Sequence, residues 1–212
     1  VFRHQPESPL TGRAALLAAA SLVELNNPRG ALTMLARVPE DRLPQPASLV
    51  VLARAREAVG DPVAAAMSWQ SIYFAYPMSS EAKDAGAALS RLESSLGPAY
   101  PPPMPSSRFD RAEKLLRARR FRDARSELLR MVPLLDGPTR ETAQVRAAAA
   151  LHRAREDDDA FAELSNLFVQ DTEAAAERLH WLAATARRLD RPSDMEQALK
   201  DLVSAAPASE WR

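Results

Sequence analysis

Three arginines recur at matched places late in the chain: Arg117, Arg153 and Arg188, 36 and 35 residues apart. A guanidinium is a planar fork of N–H donors that meets a carboxylate or another anion through paired bonds, so three in register could form a basic ladder for an anionic ligand. His152, Arg187 and His180 would flank that ladder. The same arginines have a plainer use. At the end of a helix each would complement the negative end of the dipole and pair with a neighbouring acid.

The other residues able to do chemistry assemble into less. His4, His152 and His180 do not fall at ligand spacing, and the sequence holds no glycine-rich phosphate loop, paired cysteines or His-Glu-x-x-His helix. Nucleotide and zinc chemistry therefore lack their minimum parts, and neither a cofactor nor a metal is expected. The acidic run Glu156–Asp159 is expected to start a helix, where carboxylates favour the dipole, rather than to hold a metal. Paired carboxylates that meet only in space stay open on sequence alone. Cysteine is absent, which excludes disulfide and thiol chemistry and leaves the compartment undecided.

Charge gives no global pull toward nucleic acid or an anionic membrane, since 28 basic residues balance 28 acidic ones. Between Arg108 and Arg130 nine basic residues face Asp110, Glu113, Asp123 and Glu127. Nucleic acid would also require interleaved aromatics, and only Phe109 and Phe121 are near, so no nucleic-acid partner is expected. No apolar run approaches the roughly 20 residues that span a bilayer, so no transmembrane segment is expected. The chain opens at Val1 without a charged-then-apolar leader, as a mature or trimmed chain would.

What must position the arginines is a repeat. Anchors at Pro28, Pro62, Phe121, Asp157 and Pro192 are spaced 34, 59, 36 and 35 residues apart. Three places after them stand Ala31, Ala65, Ala124, Ala160 and Met195; seven after, Leu35, Trp69, Leu128, Leu164 and Leu199; ten after, Val38, Ile72, Met131, Leu167 and Leu202. That is one apolar helical face. Nine places before, the residue is an alanine in every copy: Ala19, Ala53, Ala112, Ala148 and Ala183. An alanine, a short break and another small residue predict two antiparallel helices that approach closely, where a larger side chain would push them apart. Asn27 and Asp61 read as N-caps, with Pro28 and Pro62 at the first helical position. Few glycines and abundant Ala, Leu, Arg and Glu agree with an all-α chain.

The 59-residue interval exceeds one period by about 25 residues. It holds a further predicted helix, Ser80 to Leu96, and then five prolines between Pro98 and Pro105. The reading is an N-terminal helical block at 1–96, a stiff proline-rich linker at 97–107 and a C-terminal block at 108–212. A PxxP ligand for an aromatic groove is the alternative use of that linker. The last residues, "SAAPASEWR", stop where another first helix is expected, so the C-terminal block is expected to be truncated.

The period, the small residues on both helices and the closing prolines Pro77 and Pro207 resemble the tetratricopeptide repeat. The bulky aromatic usual early in the first helix is missing; those positions hold Ala15, Leu49, Arg108, Gln144 and Leu179. The resemblance implies hairpins stacked as a right-handed superhelix, an α-solenoid, with Arg117, Arg153 and Arg188 toward its concave groove. The stretches Tyr73 to Leu92 and Leu115 to Val132 are similar to the N-terminal superhelical region of soluble lytic murein transglycosylases. That likeness implies a periplasmic or otherwise exported protein and the non-catalytic arm of a cell-wall enzyme, with a protein or peptidoglycan ligand. The family's catalytic signature is Glu-Ser followed by a glycine-led loop. Glu93-Ser94 and Glu7-Ser8 supply only the dipeptide, so no catalytic residue is assigned. The alternative is a free-standing tetratricopeptide adaptor of envelope assembly.

Overall fold

The five anchors all sit on one kind of backbone reversal. In the computed structural model, which describes residues 10–211, α1 (Thr11–Glu24) turns into α2 (Pro28–Leu35) and α3 (Ala47–Ala58) into α4 (Pro62–Ala75). Further on, α6 (Pro105–Arg117) turns into α7 (Phe121–Met131), α8 (Gly137–Arg153) into α9 (Asp157–Asn166) and α10 (Thr172–Arg188) into α11 (Pro192–Ala205). Two residues before each anchor the chain takes a positive φ: Asn26 56°, Gly60 83°, Arg119 60°, Arg155 68° and Asp190 56°. The next amide then bonds back to a carbonyl five residues earlier: Asn27 to Leu22, Asp61 to Arg56, Arg120 to Leu115, Glu156 to Leu151 and Arg191 to Ala186, all at 2.8–3.0 Å. This Schellman closure satisfies the carbonyls that a helix end leaves open.

The residue after the reversal starts the second helix. Asn27 Oδ1 accepts from the Gly30 amide and Asp61 Oδ1 from the Ala64 amide, each at 3.0 Å, so the two predicted caps form. Arg120, Glu156 and Arg191 provide no side-chain cap. The left-handed residue, common to all five turns, is therefore the shared device. The residues three before each anchor, Leu25, Val59, Ala118, Ala154 and Leu189, are the C-caps of the first helices, and Leu25 is 76% exposed.

The predicted alanine crossing is present in each copy. Ala19, Ala53, Ala112, Ala148 and Ala183 are buried, as are Ala31, Ala65, Ala124 and Ala160 across from them. Ala53, Ala65, Trp69 and Ile72 share one cluster, and Ala19, Ala31 and Leu35 another, so residues climb away from the turn on both sides together, as in an antiparallel pair. The described residues are helical with no strand. They form two compact units that divide between Pro103 and Met104. In the first unit α1 to α5 (Glu81–Leu96) pack each on the next, and α1 also packs on α3; in the second α6 to α11 do the same, and α8 also packs on α10. Gly12 lets α1 approach the loop before α3, since a Cβ there would stand 1.8 Å from the Arg42 carbonyl oxygen.

Three details differ from the sequence expectation. Residues 97–99 form a short 3₁₀ turn and α6 already begins at Pro105, because proline suits the first helical position. Tyr100 packs on the core of the first unit and the Pro101 carbonyl accepts from Gln70 Nε2 at 2.7 Å, so this part of the proline-rich stretch is held rather than free. The apolar face is also incomplete: Leu167 is the C-cap of α9, and Leu199 is 44% exposed.

Two substitutions test the reversal. Gly60→Ala places a Cβ in open space, so its expected cost of about 1 kcal/mol comes from the left-handed backbone alone. Arg119→Gly relieves the same strain and is expected to stabilise by up to about 1 kcal/mol, both read by urea denaturation. For the crossing, Ala53→Leu is expected to destabilise by about 1–3 kcal/mol through overpacking, while Ala58→Leu, on an exposed position, stays near wild type.

Candidate functional site

The three predicted arginines do end three equivalent helices, α6, α8 and α10, but they stand in three different environments. Arg188 reaches the preceding turn. Its Nε lies 2.7 Å from Asp157 Oδ2, and its Nη2 donates to Asp157 Oδ1 and to the His152 carbonyl. It thus binds the last turn of α8 to the first turn of α9. Arg153 lies with its guanidinium carbon 4.6 Å from the ring centre of Trp181, a cation–π contact. Arg117 and Arg187 are exposed. Of the three, Arg188 is engaged in an ion pair, Arg153 is stacked on a ring and Arg117 is exposed.

The two described histidines are also structural anchors. His152 is buried; its Nδ1 lies 3.0 Å from Thr185 Oγ1 and 3.3 Å from Asp157 Oδ1. The Thr185 hydroxyl gives its only proton to the Trp181 carbonyl at 2.6 Å, so Nδ1 of His152 must carry the proton between them. Burial, with the Arg188 charge beside it, holds the His152 pKa below the ordinary histidine value. His180 Nδ1 is 2.9 Å from the Trp211 carbonyl and its ring meets Trp181 edge-on at 5.1 Å. That contact draws residues 206–211, which form turns rather than a further helix, back onto α10. His4, Glu7 and Ser8 lie outside the described residues. Glu93 is exposed on α5, and Ser94 donates to its own helix through the Ser90 carbonyl.

The acidic run does begin α9, and it does more than favour the dipole. Asp157 holds Arg188, and Glu156 Oε1 lies 2.6 Å from Arg122. Burial alone would raise the Asp157 carboxyl, but the bonded Arg188 guanidinium outweighs it and holds the pKa below the ordinary aspartate range. Among the described residues no cluster has the donors for a metal ion, and no helix is long and apolar enough to cross a membrane. The basic stretch at 108–130 is largely paired: Arg108 and Arg111 with the buried Glu127, Arg120 with Asp123, Arg122 with Glu156 and Arg125 with Glu163.

What converges on one place is a set that register counting missed. Glu113 on α6, Arg146 and Arg153 on α8, Glu177 on α10, and Leu116 and Trp211 line a cavity of about 100 Å³. Arg146 Nη1 is 2.7 Å from Glu113 Oε1, and its Nε is 3.3 Å from Glu177 Oε2. Glu177 is 5% exposed, and burial raises its pKa against the lowering effect of Arg146. The signal was helical spacing: Arg146 and Arg153 are two turns apart on one helix, and so share a face. The partners 31 and 33 residues away carried no signal of their own. Comparison with protein-family models, characterised proteins and solved structures finds no match.

The two carboxylates should give opposite pH signatures. Asp157→Asn is expected to cost about 2 kcal/mol at neutral pH. Its native pKa is depressed, so that stability is present above the ordinary aspartate value and is lost as pH falls through the native one; the gap to wild type should close there. Glu177 is raised, so the folded chain binds its proton more readily and wild type loses stability as pH climbs out of the ordinary glutamate range. Glu177→Gln should lack that slope in urea titrations run from pH 3 to 8.

Proposed function

We propose that this chain is a non-catalytic helical-repeat scaffold, built of tetratricopeptide-like hairpins stacked as a right-handed α-solenoid, that binds or positions a protein or cell-wall ligand. The observation that carries the reading is the fivefold recurrence of one unit, a helix, a left-handed residue and a second helix, with a buried alanine at every crossing. A chain that repeats a packing unit builds a long surface rather than one enclosed reaction site, and such surfaces serve recognition.

The finer reading is the N-terminal arm of an exported peptidoglycan lytic transglycosylase, acting in the periplasm. It rests on the likeness of Tyr73 to Leu92 and Leu115 to Val132 to that family's superhelical region. In the structure the first stretch runs from α4 through the turn at Pro77 into α5, where Tyr73 closes on Gly86: a Cβ there would stand 3.1 Å from its ring. The second stretch carries the end of α6, the reversal at Arg119 and α7.

Sedimentation with purified murein sacculi tests the reading. The 212-residue chain is expected to co-sediment without releasing soluble muropeptides. Release of muropeptides would overturn the non-catalytic assignment, and failure to co-sediment would overturn the cell-wall assignment in favour of an adaptor that binds protein.

A further inference from the structure

One position in the first unit breaks the apolar pattern of the repeat. Six residues before the anchors stand Leu22, Arg56, Leu115, Leu151 and Ala186. Leu115, Leu151 and Ala186 are buried, and Leu22 packs on the cluster of Ala19 and Ala31. In the hairpin of α3 and α4 the same place holds a half-buried arginine. Its Nη1 donates to Ser68 Oγ at 2.6 Å and to the Ala64 carbonyl at 3.2 Å, both uncharged oxygens. The acids nearest to it in sequence are engaged elsewhere: Glu57 with Arg91 and the Trp69 indole, Asp61 with the Ala64 amide. Among the described residues no carboxylate closes an ion pair with Arg56, the exposed Glu40 at the mouth of the adjoining groove included.

That groove runs between α2, α3 and α4, and its walls are aliphatic: Leu32, Leu35, Leu49, Leu52 and Met67. Arg56 does not point out of it at random. Ala53 and Ala65 meet in one cluster, and Ser68 lies almost a turn farther from the reversal than Ala65. Held on Ser68, the guanidinium is therefore drawn back along α3 toward that helix's first turn. There the Ser48 hydroxyl, on a residue 2% exposed, has no hydrogen-bond partner, and the Gln45 side-chain oxygen is also buried without one. Both residues line the same groove. Buried polar groups are costly when left unpaired, so their place beside a cation without a carboxylate is an observation independent of the charge.

We propose that this groove binds a free aliphatic carboxylic acid of the fatty-acid class, its carboxylate on Arg56 and Ser48 and its alkyl chain along the leucines. The carboxylate supplies the anion that Arg56 lacks and accepts from the Ser48 hydroxyl, and a half-turn of the Gln45 amide adds an N–H donor. The chain covers aliphatic wall that is otherwise wetted. An alcohol leaves the guanidinium without an anion, and an alkylammonium ion meets it as a like charge. A peptide brings an N–H and a C=O with every residue, and a wall of leucine and methionine satisfies neither. The site goes beyond the scaffold reading and is independent of it: fatty-acid binding without murein co-sedimentation keeps this site and removes the cell-wall role.

Isothermal titration of the full 212-residue chain at neutral pH with decanoate below its micelle range, decanol, decylamine and acetate decides it. Decanoate is expected to bind saturably at one equivalent. Decanol and decylamine should bind about tenfold or more weakly, the worth of one charge-assisted hydrogen bond, and acetate, which has the head without the chain, should give no saturable heat. Arg56→Leu installs the residue that Leu22, Leu115 and Leu151 provide at this register, and Ser68 keeps its bond to the Ala64 carbonyl. Its urea midpoint should stay at or above wild type while decanoate binding falls about tenfold and decanol binding does not. Ser48→Ala removes a hydroxyl that holds nothing in the fold and should weaken decanoate several-fold with the helical circular dichroism kept. No saturable heat with decanoate, or several equivalents bound, would overturn the proposal. So would decanol binding as tightly as decanoate, or both variants binding decanoate like wild type.

Discussion

Each of the five repeated hairpins depends on one residue holding a left-handed backbone two places before its second helix begins. That single reversal turns the main chain out of one helix, satisfies its last carbonyls and delivers the next residue to an N-cap position. Because the reversal is the same length each time, residues at equal distances from it meet at equal heights. In four of the five the alanines nine before and three after the anchor therefore face each other, and their small size sets the approach of the two helices; in the fifth Met195 stands opposite Ala183. The apolar residues further from the turn then close the rest of the pair. Packing in both units follows from a backbone device rather than from any one strong contact.

The chain adopts it at some energetic cost. Only Gly60 is the residue type that takes positive φ freely; Arg119, Arg155 and Asp190 take it with a Cβ that prefers otherwise. The cost is tolerable because each reversal closes hydrogen bonds at 2.8–3.0 Å and lets the buried clusters on either side form. It also explains what was legible in the sequence. The alanine register and the starts of the second helices were readable, since they rest on recurring residue types, whereas α6 begins at Pro105, inside the expected linker. The reversal was not, because Asn26, Gly60, Arg119, Arg155 and Asp190 share a conformation without sharing a chemistry.

The candidate site divides the same way. That three arginines would end equivalent helices could be read by counting, and they do. What each would touch could not, because the partner of an arginine in a stacked helical chain lies about one repeat away, and nothing local marks it. Arg125 finds Glu163 at a separation of 38 residues and Arg146 finds Glu177 at 31. Glu156–Asp159 looked like a helix start and is one, yet two of its carboxylates also reach arginines on other helices. Dipole and ion pair are not rival explanations there, since a carboxylate on a first turn is already turned toward the neighbouring hairpin.

Repetition of the backbone with drift in the side chains is what gives equivalent arginines different contacts in the second unit. The two positions occupied by Asp157 and Phe121 are equivalent by register, and the arginines above them, Arg188 and Arg153, are equivalent too. Where the acid is present the guanidinium is locked to the preceding turn, with His152 buried beside it. Where a ring stands in place of the acid the equivalent guanidinium lies over Trp181, beside a cavity lined by Glu113, Arg146 and Glu177. Equivalent arginines in a repeated frame thus take different partners, while the helices that carry them are fixed by turns of one kind.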